Sequence, residues 1–480
     1  MKNDNIKNLN RRKFLKSAGT LSVGSLVAGG AATSLVANAS EKNASKTKCQ
    51  YDVIVVGGGF AGVTAARDLQ KSGYKTLLVE ARNRLGGRTF TSEFAGHKIE
   101  LGGSLVHWLQ PEVWTEIQRY GLDIFEVPLL AAEKTFITLA DGKTIEANEK
   151  DMIGVLEAIN EFMKDSYKTW NRPYDPSYTS AEINKIDHLT VEDKLKSMDL
   201  NPVQFAALDS FFGTMGCGET KNASFNEVLR VWALSNWNYG GFAGAIGQYK
   251  IKEGTKALLE AIVEDGDFEV RTSTHVKRIE SKSNHAVVTL RDGSKVTAGS
   301  VVSALPSNVV GDIDFVPALN KGKTAIYKER HSGTNGLMFN AEVKGDIGNV
   351  CGMAASNTKL PYFGVYKQTP EHTIVNGFIT NVDKLDYMDD EAIQDALRKF
   401  IPDVEVISSV AYDWVNDPYS QGSYAIYKAN WIKDYGEDIV ASQGRVHFAG
   451  ADFSQGWRGF ISGAIGSGTK AAQAAIKMLN

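Results

Sequence analysis

Cysteine and proline are scarce in this 480-residue chain, with three and eleven copies. Three cysteines (Cys49, Cys217 and Cys351) are too few for a disulfide framework, and none stands in a C-x-x-C or zinc spacing. One bridge, Cys217 to Cys351, is left open. No cluster of His, Cys and carboxylates is spaced to hold a metal. No run of Lys and Arg marks a nucleic-acid surface. No internal repeat and no low-complexity stretch appears beyond the first 40 residues. What is present is ordinary for a soluble globular protein: 43% apolar and 23% charged residues. The length exceeds one ordinary core and suits two intertwined domains.

The first 40 residues read as lying outside the fold. Asn10-Arg11-Arg12-Lys13-Phe14-Leu15-Lys16 resembles a twin-arginine export signal. Ala18–Ala37 is mildly apolar and diluted by glycine, and Ala37-Asn38-Ala39 is an A-x-A cleavage site. The competing reading is a membrane anchor, for which the glycines and serines are poorly suited. Residues 1–39 are therefore expected to be an export leader and residues 40–50 a linker. The mature protein is expected in the periplasm, with the export machinery as a partner. Removing residues 1–39 removes six basic residues and one acidic, which takes the net charge from −3 to about −8. Such a body favours solubility and weakly attracts cationic ligands.

Residues 51–80 carry the strongest local pattern. Tyr51–Val56 is an apolar run short enough for a buried strand. Gly57, Gly59 and Gly62 follow at G-x-G-x-x-G spacing, a helical pattern runs from about Ala61 to Ser72, and a second strand, Lys75–Val79, ends at Glu80. This is a βαβ dinucleotide-binding unit. Gly57 permits the tight turn, Gly59 lets a pyrophosphate approach the backbone, and Gly62 lets helix and strand pack closely. The helix start, with Phe60 and Ala61, offers free N–H groups to phosphate. Glu80, 18 residues past Gly62, can accept hydrogen bonds from a ribose diol.

The next residues narrow the cofactor. Glu80-Ala81-Arg82-x-Arg84-x-Gly86-Gly87-Arg88 resembles the E-A-R-x-R-x-G-G-R signature of the flavin-dependent amine oxidase family, which includes the monoamine oxidases. Leu101-Gly102-Gly103-Ser104 matches that family's next turn, beneath the flavin. The resemblance extends over residues 51–480. It implies FAD, held through Arg82 and the Gly87-Arg88 turn, the backbone of Val276, and the Gly450-Ala451-Asp452 turn, where the family usually has Glu for Asp452. It also implies that the last helix, from near Gly459 to about Met478 and including Phe460 and Ile461, points its N-terminus at the flavin. The fold expected is α/β: a Rossmann-like FAD-binding domain of glutathione-reductase type (51–125, 247–315 and 408–480) interleaved with an α+β substrate domain (126–246 and 316–407).

The same resemblance supplies the chemistry. Tyr424 and Phe460, with Trp457 beside them, match the aromatic cage that sandwiches an amine before the flavin. The neutral amine would give a hydride equivalent from its α-carbon, and the resulting imine would hydrolyse to a carbonyl compound. Ser423 stands where the monoamine oxidases carry a flavin-linking Cys, so FAD is expected to be noncovalent. Met338 stands where many members carry Lys, which leaves the electron acceptor open between oxygen and a soluble periplasmic carrier. Within the family the chain most resembles bacterial pseudooxynicotine and nicotine amine oxidases, through stretches such as Val106–Pro111, Tyr249–Lys252 and Trp457–Phe460. The implied substrate is an alkyl-amine bearing an aromatic or heteroaromatic group. Rival readings are an L-amino-acid oxidase, which needs a cation such as Arg119, Arg172, Arg230 or Arg458 for the carboxylate, a polyamine oxidase, which needs acids along the cavity, and a flavin-binding or electron-relay protein without turnover. A homodimer is left open.

The remaining segments read as structure. Phe136–Thr144 is a hairpin turning at Asp141-Gly142. Helices are expected at 149–169, 190–198 and 202–215, with Thr190-x-x-Asp193 as a capping box. Asn236–Phe242 reads as an aromatic, glycine-rich loop, His107-Trp108 as a packed loop rather than a cavity wall, and Val410–Trp414 as a strand.

Overall fold

The computed structural model describes residues 48–331 and 333–480. The leader and most of the linker expected at 1–50 fall outside them. Residues 47–480 form one compact unit. No helix among the described residues is long and apolar enough to cross a membrane.

The βαβ unit forms as its pattern requires: strand Tyr51–Val56, helix Phe60–Lys71, strand Thr76–Val79. Gly57 has φ +107°, and a Cβ at Gly62 would stand 1.8 Å from the Gly57 carbonyl oxygen. The strand-to-helix turn closes only because both lack side chains. Parallel pairing places Tyr51–Val56 between Thr76–Val79 and Lys295–Ser303. This mixed eight-stranded sheet also takes in Glu269–Arg271, Val276–Ser281, Ala286–Leu290, Asp314–Val316 and Val446–Phe448. Its strands come from both ends of the chain, so the last helix, Ile461–Leu479, packs on the first, Phe60–Lys71. Val53, Val55, Val63 and Ala472 form the core between sheet and helices, and Ile54, Val288 and Phe448 form the core on the opposite face.

A second sheet of seven strands is mostly antiparallel. Its order is Val406–Ala411, Leu337–Lys344, His372–Ile379, Tyr362–Gln368, Val350–Met353, Lys134–Thr138, Thr144–Glu146. Helices Glu149–Met163, Pro202–Met215 and Phe225–Leu234 share an apolar core with Trp170, Phe162 and Trp457.

Three local expectations change. Asn236–Phe242 is not all loop: a helix starts at Tyr239 and runs to Gly247, because the Asn238 side chain accepts the Gly241 N–H and caps it. The strand expected at Val410–Trp414 is Val406–Ala411. It pairs with Leu337–Lys344, and the chain leaves the sheet where the Trp414 indole donates to the Leu101 carbonyl at 2.7 Å. This strand crosses the boundary drawn at residue 408. The helix expected over 149–169 breaks after Met163 and resumes at Ser166–Thr169, where the Ser166 hydroxyl donates to the Leu229 carbonyl.

Candidate active site

A cavity of about 1150 Å³ runs from the carboxyl ends of the central mixed-sheet strands to one wall of the antiparallel sheet. Open α/β sheets place their ligands at that edge. Gly57, Gly59, Phe60, Ala61, Glu80, Ala81, Arg82, Gly87, Arg88, Gly102, Gly103, Ser104, Val276, Gly450, Phe460 and Ile461, all read from the sequence as cofactor contacts, border it.

The local geometry explains how the site is held. Glu80 is buried, and its two oxygens accept the backbone N–H groups of Gly58 (2.7 Å) and Arg82 (2.8 Å), tying the second strand to the glycine turn. Arg82 pairs with Asp417, donates to the Ser420 hydroxyl at 2.8 Å, and lies over the Tyr419 ring. Arg88 donates to the Ser423 carbonyl and to Asp452. Burial alone would push the Asp452 carboxyl up, but Arg88 and the Ser307 N–H and hydroxyl hold it below the ordinary value.

Two of the expected cofactor residues lie behind the cavity wall rather than on it. Gly62 sits under Gly57, and Asp452 is fully buried and bears on the site through Arg88.

The residues present fit a flavin dinucleotide. The Phe60 and Ile461 helices both begin at the cavity without a side-chain cap and without an acid in their first turn, so their free N–H groups suit anionic groups. Arg82 borders the same space, and its buried Nε has no hydrogen-bond partner among the described residues.

Tyr424 and Phe460 both border the cavity. The Tyr424 hydroxyl donates to the Thr214 carbonyl, and burial, with Cys217 adding, pushes this phenol well above its usual range. Trp457 does not face the cavity. Its ring is buried in the helical core and meets Phe460 edge-on at 5.2 Å, so it buttresses the cage ring from behind. Ser423 contacts the Cys217 sulfur at 2.8 Å and donates to the Gly333 and Gly336 carbonyls. Cys217 and Cys351 are free and do not pair. Met338 borders the cavity on its own strand. His107 is buried and accepts the Leu109 N–H, whereas Trp108 beside it is half exposed; neither borders the cavity.

The charged lining is confined to residues 80–88, 291–312 and 458. Six charged side chains border the cavity: Glu80, Arg82, Arg88, Arg291, Asp312 and Arg458. None comes from its lining residues in 129–247 or 337–378. Arg458 is committed elsewhere. It donates to Glu227 at 2.7 Å and to the Ser454 carbonyl, and lies over the Tyr427 ring at 4.0 Å. Arg230 is buried against the same Glu227 at 2.8 Å. Arg119 is surface-exposed beside Glu116, and Arg172 stacks on Tyr178. Of these four only Arg458 borders the cavity, and its guanidinium is already paired with Glu227.

Sequence reasoning missed the distal wall, with Phe211, Met353, Tyr362 and Phe378. Aromatic and methionine residues at strand or helix spacing carry no signal that separates a cavity wall from a core.

Comparison with known proteins agrees with this geometry. The family model described as flavin containing amine oxidoreductase matches residues 60–476. A pseudooxynicotine dehydrogenase of a Pseudomonas species is 38% identical over 96% of this chain and 94% of its own. A nicotine dehydrogenase of Pseudomonas putida is also 38% identical, over 98% of both chains. Among solved structures, cyclohexylamine oxidase from Brevibacterium oxydans superposes with a TM-score of 0.71 over 89% of this chain and 99% of its own, at 18% identity, a likeness of fold.

Proposed function

The chain belongs to the flavin-containing amine oxidoreductase family, and from that premise we propose that it oxidises a nicotine-like alkyl-amine bearing an uncharged aromatic or heteroaromatic group, with FAD held noncovalently. That it is a flavoenzyme acting on amines follows from the family; the substrate class, the mode of attachment and the electron acceptor are the proposal.

The observation that carries it is the uncharged substrate half of the cavity. A carboxylate or a second ammonium buried there would have no counter-charge, at a cost of several kcal/mol. This disfavours the amino-acid and polyamine readings. Apolar walls such as Phe211, Met353 and Phe378 suit a flat apolar ring. Two relatives named for nicotine-type amines support the same class.

The flavin, when bound, supplies the two-electron acceptor for the amine's α C–H bond. The chain does the rest. Tyr424 and Phe460 hold the amine by their ring faces, Tyr424 fixed by Thr214 and Phe460 by Trp457. The apolar walls exclude water and favour the neutral amine, the form able to lose hydride. Arg88, locked by Asp452, and the two helix N-termini hold the cofactor's anionic parts. Ser423 has no thiol to bond the flavin, which supports noncovalent attachment. Met338 in place of Lys, and relatives named dehydrogenases, support a soluble electron carrier in preference to oxygen. The leader pattern of residues 1–39 supports twin-arginine export and work in the periplasm.

The test is anaerobic. Purified enzyme is mixed with aryl-alkyl amines, diamines and amino acids while flavin bleaching is followed. Aryl-alkyl amines should bleach it fastest, and air should restore the colour more slowly than a redox dye. Bleaching only by diamines or amino acids would overturn the substrate class; rapid recovery in air would overturn the carrier; flavin surviving denaturation on the protein would overturn noncovalent binding.

A further inference from the structure

One face of the antiparallel sheet is a cavity wall, and its register places the polar groups. Cross-strand pairing sets Met338, Phe378, Tyr362 and Met353 in a single row. All four border the cavity. The next row on that face carries Gly364, Cys351 and Thr135. Gly364 has no side chain, so the Tyr362 ring folds down across it. A Cβ at Gly364 would stand 3.1 Å from the phenol oxygen. The Tyr362 hydroxyl therefore lies over the second row, next to Cys351, whose sulfur is 3.4 Å from the Thr135 hydroxyl. Tyr239, from the helix facing the sheet, borders both this cavity and an outer cleft of about 530 Å³.

We infer that Tyr362, with Cys351, Thr135 and Tyr239, is a recognition subsite for an uncharged hydrogen-bond acceptor, an aromatic aza-nitrogen or a carbonyl oxygen, carried by the substrate at the end away from its amine. This rests on the amine-oxidising reading of the cavity and names what the far end of the substrate must be.

Four observations support it. The two tyrosine hydroxyls have no hydrogen-bond partner among the described residues. Tyr362 lies among apolar side chains and Tyr239 is 36% exposed, so both hydroxyls are open to a ligand acceptor that would satisfy them. All four groups can donate, no carboxylate or ammonium lies among them, and the strand carbonyls beside them are engaged in the sheet. Burial pushes Tyr362 well above the ordinary phenol range, with Cys351 and Tyr239 adding, and raises Tyr239 too, so both stay neutral donors at any working pH. The placement also fits. The strand of Tyr362 lies two inter-strand steps, about 10 Å, from that of Met338. The latter begins just after Gly336, whose carbonyl accepts the Ser423 hydroxyl beside the cage.

The test compares benzylamine with its pyridylmethylamine isosteres, which differ by one aza-nitrogen. Dissociation constants are read from the perturbation of the bound flavin's spectrum, and bleaching is followed separately. The wild-type enzyme should bind the best pyridyl isomer about 10-fold more tightly than benzylamine, the worth of one hydrogen bond to a neutral group. Tyr362→Phe should erase that preference, weakening the pyridyl isomer about 10-fold more than it changes benzylamine. Equal binding of all isomers by the wild type, or a preference untouched by both Tyr362→Phe and Tyr239→Phe, would overturn the subsite. Should Tyr362→Phe not retain flavin, the Thr135→Val, Tyr239→Phe double variant makes the same comparison. Bleaching reports the amine reading alone: no bleaching with the preference intact sinks amine oxidation and leaves the subsite standing.

Discussion

Lys250 is a buried cation with little to hold it, and its replacement should stabilise the protein. It lies on the short strand Tyr249–Ile251 and is 4% exposed. Its ammonium makes no hydrogen bond among the described residues. It sits over the Tyr366 ring at 4.2 Å and feels the buried Glu100 carboxylate from a distance. That carboxylate is already served by the Thr255 N–H, the Thr255 hydroxyl and the Thr91 hydroxyl. Burial lowers the Lys250 pKa from 10.5 to about 8, with Glu100 opposing the fall. At about 1.4 kcal/mol per factor of ten, that difference is worth about 3 kcal/mol. Above pH 10.5 the side chain is neutral in both states and nothing is lost. Between pH 8 and 10.5 the unfolded chain binds a proton that the folded chain does not, so stability rises with pH there. Below pH 8 both states are protonated and the folded state bears the whole cost. Lys250→Met keeps the stem's volume and removes the charge. Urea unfolding of the holoenzyme at pH 7 and pH 10 measures both effects. At pH 7 the variant should gain up to about 3 kcal/mol. At pH 10 the difference should shrink to under about 1 kcal/mol, and comparing the two proteins at each pH cancels the titration of every other group they share. A variant less stable than wild type at pH 7, or a difference constant with pH, would refute the reasoning and show that the ammonium has a strong partner.

Two further substitutions test the frame around the site. Burial alone would push the Glu227 carboxyl up, but Arg230 and Arg458 hold it below the ordinary value, so its contribution is present above the unfolded carboxylate pKa and is lost as pH falls through the depressed one. Glu227→Gln leaves two buried guanidiniums without their carboxylate and should cost about 3–5 kcal/mol in urea unfolding; a loss under about 1 kcal/mol would show that the arginines find other partners. Gly62→Ala drives a Cβ into the Gly57 carbonyl and should open the dinucleotide turn, so the purified variant should keep its circular dichroism and lose its flavin; a full complement of bound flavin would contradict this.

The cofactor half was legible because its parts are local. Strand, glycines, helix, strand and terminal acid occupy thirty consecutive positions, and each is forced by backbone geometry rather than by distant contacts. The distal wall was not, because it is made by register. Thr135 meets Cys351 only through the parallel pairing of strands more than two hundred residues apart, and Tyr362 lies flat only because Gly364 is two residues along its own strand. Glu227 was equally silent, since a Glu three residues before an Arg in a helix reads as a surface pair, and here both are buried. Trp457 was placed at the cage by adjacency in sequence, but it sits three residues ahead of Phe460, in the turn before the last helix, and its ring falls on the core side. The helix at Tyr239 was masked by two glycines in its first turn, where the Asn238 cap outweighs their weak propensity.

The uneven charge of the cavity bears directly on how an amine enters it. An alkyl-amine resembles a lysine side chain, with a pKa near ~10.4, so at neutral pH it arrives as a cation. Giving up that proton costs about 4–5 kcal/mol at pH 7. Keeping it would put an ammonium against walls with no carboxylate, and the ring faces of Tyr424 and Phe460 return only about 2 kcal/mol of cation–π attraction. The idealised desolvation penalty for an unpaired ion is larger than either figure, so the neutral amine is the species that binds. Deprotonation is then imposed by the walls, and no buried base is required in the substrate half, where none is found among the described lining residues. A diamine would bear the cost twice and an amino acid would add an unpaired carboxylate. The same absence of charge that selects the reactive protonation state therefore also sets the substrate class.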